Sequence, residues 1–378
     1  MTLRWLGFAL GIVIALLTVH SIVGGLVVPR AVTSRISHSV DAAIDRLFQL
    51  CTMRVRSFAR RDSILAWQGP VYLVARLAIW IALLYLAWAL MLLPLIPGPA
   101  GRSFAESGSS MFTLGYAAPA GNSSTAVDYL AAFSGLVVVG LQVGYLPTIY
   151  AAFNRRETEV TLLQSRAGLP SWGPEILART QWGIAGNSDS GAVLDELFRI
   201  WERWSAELAE SHTTYPVLTR LRSPRSMSHW VTSLLAVMDA AAVHLAVAPS
   251  SPPGISARLC LRMGFVAIRE IGTALGFPVD TDPDPDQPIG LPYEQFEAAV
   301  DMLRGLGYPV ERTAEQAWPH FRGWRVNYET VALRIARAVD APPALWSGPR
   351  RWPSSPIPPL RPANRLSASP PETDSRTR

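Results

Sequence analysis

The sequence predicts an all-α protein in two parts, a set of membrane-spanning helices followed by a cytoplasmic helical bundle. Three observations predict it. The mean hydropathy is +0.20, with 49% hydrophobic and only 17% charged residues, whereas soluble domains carry about 25% charged residues. Three apolar runs are long enough to cross a bilayer, and beyond residue 154 apolar residues recur with a period near 3.6.

The net charge of +5 is confined to the first part of the chain. The sequence contains 34 Lys plus Arg, all of them Arg, and 29 acidic residues. Residues 1–154 hold 10 of the Arg and 5 of the acidic residues, so the excess lies there and the rest is balanced. Because the excess is spread among apolar runs, and not gathered on one face of a folded domain, it indicates membrane topology and argues against a nucleic-acid partner.

Residues 1–29 contain the first predicted span. The segment from Trp5 to Val28 carries no formally charged residue and exceeds the roughly 20 residues that a spanning helix needs. A signal peptide is the alternative, but its apolar core has about 7 to 15 residues and is followed by a small-residue cleavage site. Since Pro29-Arg30 follows here, we expect a retained anchor.

Two further spans lie within residues 70–152. The segment from Val71 to Ile96 contains one charge, Arg76, close enough to its start for the guanidinium to reach the membrane interface. The segment from Tyr129 to Ala151 contains no charge. A bilayer is therefore one expected partner.

The connector, residues 30–69, is predicted to be basic, helical and cytoplasmic. Apolar residues from Ile36 to Leu50 recur every three or four positions, with Arg on the opposite side. The connector holds seven Arg and three Asp, and Arg155-Arg156 follow the third span. By the positive-inside rule, the connector and the end of the third span are therefore expected in the cytoplasm. The N-terminus and residues 97–128 are then outside, in a multi-pass protein of the plasma membrane. Two positions remain open for the connector: along the membrane surface, or against the soluble domain.

The outside stretch carries the clearest functional pattern. Ser103 and Glu106 have capping-box spacing, which predicts a short helix that starts there and ends near Phe112. Thr113, Leu114, Gly115 and Tyr116 follow, between two spans.

This arrangement resembles the pore-loop cation channels, in particular the potassium-channel pore module, over residues of about 71–151. The resemblance implies a re-entrant pore loop with Ser103 and Glu106 in the pore helix and a selectivity filter, whose backbone carbonyls replace the water around a cation. The filter residues it implies are Thr113, Leu114, Gly115, Tyr116 and Ala117. It also implies Gly140 or Gly144 as a gating hinge and a homotetramer, because one filter segment cannot enclose an axial pore.

The pattern departs from the family at two positions. Ala117 stands where the second filter Gly is found and Ala118 where Asp usually follows, so strict potassium selectivity is not implied. A left-handed conformation at Ala117 would cost about 1 to 2 kcal/mol. The permeant ion is K⁺ or another monovalent cation, and no other cofactor is expected.

Residues 153–341 are predicted to form the cytoplasmic all-helical domain. Helices are expected over 158–166, 227–247, 255–275 and 293–306, with further apolar stripes from Val193 to Leu208 and from Trp318 to Val339. The run from Val231 to Val247 is apolar enough for a fourth span, yet it carries Asp239, for which burial in a soluble core beside Arg262 or Arg269 is favoured. The tail, residues 342–378, holds 10 of the 31 prolines and is predicted to be disordered.

No enzymatic activity is expected. The sequence lacks nucleotide-binding, zinc-protease and serine-hydrolase fingerprints, and its two cysteines, Cys51 and Cys260, have no partner at zinc-site spacing. The acidic run from Asp280 to Asp286 lacks the Gly and Glu of a calcium-binding EF-hand loop, so no metal site is predicted. The expected function is an ion channel regulated by its helical domain, and the alternative is a membrane-anchored helical scaffold or sensor without a pore.

Overall fold

The computed structural model describes residues 2–28, 34–182 and 190–360, and within these ranges it contains helices and no strand. The helices in the first half are α1 (Thr2–Leu26), α2 (Arg35–Thr52), α3 (Phe58–Leu65), α4 (Gln68–Leu92), α5 (Ala100–Met111) and α6 (Asn122–Ala167). Those in the second half are α7 (Gly173–Arg179), α8 (Ser190–Thr214), α9 (Trp230–Val247), α10 (Gly254–Ala274), α11 (Tyr293–Gly305), α12 (Ala314–Arg325) and α13 (Glu329–Ala338). Two short 3₁₀ turns, Thr180–Trp182 and Pro216–Arg220, complete the described regular structure.

Four helical stretches are long and apolar enough to cross a membrane. Three of them, α1, the stretch Phe58–Leu92 and α6, leave about two thirds of their most apolar window uncovered, with 28%, 33% and 33% buried. The fourth, α9, is 100% buried by the surrounding chain. The exposed apolar surface of the first three is compatible with a multi-pass membrane protein, whereas α9 has no side free to face lipid.

Helices α1 and α4 pack antiparallel through small residues. Gly11 lies so close to α4 that a Cβ there would be 2.6 Å from the carbonyl oxygen of Ala87. Towards the other end of α1, the indole of Trp80 donates to the hydroxyl of Ser21 at 3.1 Å. Arg4 donates to the carbonyl of Gly98, which follows α4, so the start of α1 is tied to the end of α4.

The connector is not one helix. It is divided into α2 and α3, and α2 packs on the first turns of α4, where Asp41 pairs with Arg76 and Asp45 accepts from Tyr72 at 2.6 Å. Asp45 also pairs with Arg220 at 2.7 Å, so α2 contacts the helical domain as well.

Helix α6 is longer than the sequence suggested. The predicted third span and the predicted helix over 158–166 are one continuous helix of 46 residues with Pro147 inside it. No strong helix terminator separates the two segments, and the polar residues after Phe153 change the surroundings of the helix without ending it. The same helix therefore belongs both to the apolar part of the chain and to the helical domain.

The second half of the chain is packed around α9. Helices α7, α8, α10, α12 and α13 all contact α9, and its 18 residues are all buried. The apolar stripe of α8 supplies Trp201, Trp204 and Leu208 to this core, as its periodicity predicted. The stripe from Trp318 to Val339 is not one helix, because the chain turns between α12 and α13 and buries Tyr328 there.

The predicted partners of Asp239 are wrong. Its carboxylate pairs with Arg325 of α12 at 2.7 Å and accepts from the hydroxyl of Tyr328 at 2.8 Å, in place of Arg262 or Arg269 of α10. Helix α9 turns Asp239 towards α12 and α13, while Arg262 is exposed on the far side of α10.

The prediction of disorder is wrong for residues 342–360. Arg350 donates to the carbonyl oxygens of Ala341, Pro342 and Ser347, and Trp346 packs against Trp172 and Phe321. These contacts use backbone carbonyl groups and three aromatic rings. The proline-rich composition alone does not reveal such contacts. Residues 361–378 lie outside the described residues.

Candidate functional site

The short helix α5 lies between α4 and α6. Ser107 donates to the carbonyl oxygen of Tyr85 in α4 at 3.0 Å, and Ser110 donates to the carboxylate of Asp128 in α6 at 2.9 Å. At the end of α5, a Cβ on Gly135 would stand 2.3 Å from the carbonyl oxygen of Met111, so the helices touch through backbone at this point. The small residues Ser107, Gly108 and Ser109 are all buried on α5 and leave room for this close packing.

The contacts fix how far α5 extends along its neighbours. Tyr85 lies about two turns before the end of α4, and Gly135 lies between three and four turns, roughly 20 Å, after the start of α6. The chain thus enters between α4 and α6 along α5 and returns over residues 112–121 to the start of α6.

The capping box predicted at Ser103 and Glu106 is wrong. Helix α5 begins at Ala100 with Pro99 as its N-cap, so both residues lie inside the helix and both are buried. They share the i, i+3 spacing of a capping box because that spacing also places two side chains on one helix face. The prediction that the helix ends near Phe112 is confirmed.

Glu106 forms a buried carboxyl pair with Asp128. The two side chains interact electrostatically, and Ser124 of α6 lies beside Glu106. One oxygen of each, Oε1 of Glu106 and Oδ2 of Asp128, is buried without a hydrogen-bond partner among the described residues. Two neighbouring buried carboxyl groups disfavour each other's charged form.

The loop after α5 is held to the helix end by Ser109 and Ser110. The amide of Thr113 donates to the carbonyl oxygen of Ser110 at 3.1 Å, and the other bonds go to Ser109. The Ser109 carbonyl oxygen accepts from the amide of Leu114 at 2.8 Å, and its hydroxyl accepts from the amide of Ala117 at 3.0 Å. The side chains of Leu114 and Tyr116 are 64% and 65% exposed. The structure therefore brings the five predicted filter residues together in one exposed loop anchored at the end of α5.

Left-handed backbone occurs at two positions of the loop. Thr113 has φ 56° and Gly115 has φ 71°, a conformation that glycine adopts without steric cost. Ala117 is not among the positive-φ residues, so the strain expected there from the missing second Gly is absent from this conformation.

The two predicted hinge residues lie on the uncovered side of α6. A Cβ on Gly140 or Gly144 would meet nothing within 4 Å, and both residues are exposed. Gln142, by contrast, is 6% exposed and faces the rest of the chain. The interruption of the helix hydrogen bonds falls at Pro147, which has no amide proton to donate to residue 143.

Beyond the apolar part, α6 is fixed to the helical domain by Arg156. This buried guanidinium donates to the carbonyl oxygens of Leu218 and Leu221, at 2.7 and 2.8 Å, and to the imidazole of His212 at 3.1 Å. Since arginine can only donate, Nε2 of His212 is the acceptor and this imidazole is neutral. Burial and the Arg156 charge lower the pKa of His212 well below its ordinary value.

Three residues of this site were missed in the sequence. Asp128 and Ser109 were given no role, and Arg156 was interpreted only as an orientation signal. For Asp128 a signal existed, since an acidic residue at the start of an apolar run is costly without a partner. Among the residues that the structure describes, no group of three or more potential metal ligands is found.

Comparison with protein-family models, with curated proteins and with solved structures finds no match.

Proposed function

We propose that the chain is one subunit of a potassium-channel-like ion channel, which conducts monovalent cations through a homotetrameric pore in the plasma membrane. Thr113 to Ala117 form the selectivity filter, α5 is the pore helix, α4 the outer helix and the apolar part of α6 the inner helix. The observation that carries the proposal is the course of residues 100–121, which run along α5 between two apolar helices and return to the same end.

The backbone of the filter loop supports a role in binding cations. The amides of Leu114, Gly115 and Ala117 bond to Ser109, which turns them towards the protein. Among the described residues, no hydrogen bond ends on a carbonyl oxygen of residues 113–116. Uncommitted, exposed carbonyl oxygens are the groups that replace the hydration shell of a dehydrated cation.

The uncovered face of α6 supports assembly with further copies. Phe133, Leu136 and Val143 are 66%, 64% and 64% exposed, next to Gly140 and Gly144. Small residues on an apolar face permit close helix packing in a bilayer. In a closed ring of four copies, these faces surround the axis and the four filter loops meet above them.

Helix α6 supports regulation by the helical domain. It runs without a break from the proposed pore to Arg156 and Val160, which are buried in that domain. A rearrangement of the domain therefore moves the inner helix directly. In the proposed orientation the helical domain is cytoplasmic and the start of α1 is outside, which agrees with the antiparallel contact of α1 and α4.

Ion flux through reconstituted protein tests the proposal. Purified protein in liposomes is assayed for K⁺ and Na⁺ flux separately, beside Gly115→Val. Valine at φ 71° is strained and displaces the filter backbone, so flux is expected to be abolished. Gly121→Val is the matched control: it lies on the same loop with open space around it, but its φ of 171° suits any residue, so flux is expected to persist.

The alternative is a membrane-anchored scaffold or sensor without a pore. Under that alternative no variant changes ion flux, because none occurs in the wild type, and a monomer or dimer suffices. Absence of flux from a folded, reconstituted wild-type protein, together with an oligomer smaller than a tetramer, contradicts the channel proposal.

A further inference from the structure

Of the six arginines in α2, α3 and the turn between them, only Arg61 has a carboxylate partner among the described residues, Asp340 at 3.2 Å. All three carboxylates of this segment are paired with arginines from elsewhere: Asp41 with Arg76, Asp45 with Arg220, and Asp62 with Arg222. The segment's own exposed arginines have no carboxylate partner among the described residues. These are Arg35, Arg46, Arg54, Arg56 and Arg60.

Large apolar side chains lie exposed among these arginines. Leu47, Leu50 and Met53 on the outer side of α2 are 55%, 67% and 47% exposed, and Trp67, just before α4, is 68% exposed. We call these nine residues, five arginines and four apolar side chains, the basic surface. Apolar residues interspersed with arginines are typical of a surface that lies in the headgroup region of a membrane.

The position of the basic surface relative to the apolar helices supports the same partner. Helix α4 continues for 16 residues after Arg76, about 24 Å of the roughly 30 Å of hydrocarbon, so the first turns of α4 lie near headgroup depth. Helix α2 packs on those turns through Asp41 and Asp45. An exposed tryptophan at the start of α4 is also typical of the membrane interface.

We infer that the basic surface binds the headgroups of anionic phospholipids in the inner leaflet. The arginines supply charge complementarity to the lipid phosphates, and Leu47, Leu50, Met53 and Trp67 enter the boundary between headgroups and acyl chains. The inference rests on the proposed membrane orientation and not on conduction. It extends the proposed function, because lipid bound to α2 acts on α4 and, through Arg220, on the helical domain.

The first test measures lipid preference. Detergent-solubilised full-length protein is titrated with phosphatidylglycerol or with phosphatidylcholine, and bound lipids are counted by native mass spectrometry. Wild type is expected to prefer phosphatidylglycerol, with a preference that weakens at high salt. The triple variant Arg54→Gln/Arg56→Gln/Arg60→Gln is expected to lose roughly a hundred-fold in apparent affinity for it, given about 1 kcal/mol for each arginine.

A matched variant removes the same net charge elsewhere. Arg203, Arg258 and Arg262 are exposed on α8 and α10 and have no ion pair among the described residues. The triple change of these three to Gln is expected to leave the lipid preference intact. Equal affinity of wild type for the two lipids, or an equal loss in both triple variants, would overturn the inference, as would equally strong binding of soluble glycerol phosphate.

A second test locates the surface without any substitution. Cys51 is exposed between Leu50 and Met53, whereas Cys260 is buried, so a thiol-reactive fluorophore labels Cys51 selectively. In nanodiscs, lipids carrying a quencher at headgroup depth are expected to quench this label strongly. Quenching by a water-soluble quencher and not by the lipid would show that the basic surface does not lie in the membrane. The surface would then face solution, where an acidic protein or a second copy could bind it, and the inference would be overturned.

Discussion

Gly135 of α6 lies against the carbonyl oxygen of Met111, the last residue of α5, with no room for a side chain between the two helices. A Cβ at position 135 would be 2.3 Å from that oxygen and 3.2 Å from the Met111 side chain. This contact sets the position of α5 and therefore of the loop over residues 112–121 that follows it.

Gly135→Ala is expected to displace the end of α5 and to reduce ion flux strongly. Backbone atoms cannot yield as a flexible side chain can, so the helices must separate, at a cost of about 1 to 3 kcal/mol in stability. Thermal unfolding in detergent and liposome flux measure the two effects. Gly305→Ala, in α11 and away from the proposed pore, is the control, because its Cβ meets nothing within 4 Å and alanine favours the helix. Equal behaviour of the two variants would show that the contact does not set the position of α5.

Ser109→Ala is expected to change the K⁺ to Na⁺ flux ratio more than total stability. The variant removes the hydroxyl that accepts from the amide of Ala117, a bond worth about 1 kcal/mol, but keeps the carbonyl that binds Leu114. The end of the proposed filter at Ala117 is then less constrained. Ser123→Ala, on the exposed first turn of α6, serves as control. An unchanged flux ratio in Ser109→Ala would show that the Ser109 hydroxyl has no part in ion selection.

Glu106→Gln is expected to fold normally, whereas Glu106→Ala is expected to lose about 1 to 3 kcal/mol of stability. Glutamine removes one of the two neighbouring carboxyl charges and supplies an amide that donates to the carboxylate of Asp128. Alanine leaves Asp128 buried with only Ser110. Midpoints of thermal unfolding compare the variants. Equal destabilisation by Gln and Ala would show that a polar side chain at position 106 has no part in stability.

The helical domain is expected to lose stability as pH falls below about 6.5. Burial lowers the pKa of His212 and His229 in the folded chain, with help from nearby arginines, while the unfolded chain takes up protons near the ordinary value of 6.5. The unfolded state therefore binds more protons below that pH, and each histidine lowers the free energy of unfolding by up to about 1.4 kcal/mol per pH unit.

His212→Gln is expected to reduce this pH dependence, because the glutamine oxygen accepts from Arg156 and does not titrate. Unfolding midpoints between pH 5 and 8 measure the slope. His320→Gln, at an exposed position, is expected to leave the slope unchanged. A slope that is the same in all three proteins would assign the acid sensitivity to other groups.

Helix identity could be predicted where the apolar pattern is repeated. Helices α8, α10 and α11 lie where the 3.6 period placed them, because each buries one stripe against the core around α9. The enclosure of α9 was also predictable, since Asp239 within an apolar run requires a partner. The identity of that partner, Arg325, was not, because it depends on how α12 crosses α9.

The detailed site depended on packing that a linear pattern does not contain. Ser103 and Glu106 fit a capping box by spacing, but Pro99 fixes an earlier helix start and the two side chains turn inward. Asp128 is 22 positions from Glu106 and meets it only because α5 lies on α6. Likewise, residues 342–360 have a proline-rich composition typical of disorder, yet Arg350 holds them through backbone carbonyls.

The most direct measurement of the central claim is the current through purified protein in a planar lipid bilayer with K⁺ on both sides. Unitary current steps are expected in wild type and in Gly121→Val, and none in Gly115→Val incorporated at the same level. Replacement of K⁺ by Na⁺ on one side then gives the selectivity from the reversal potential. A wild-type protein that is folded, tetrameric and incorporated, and yet passes no current in either ion, would contradict the account.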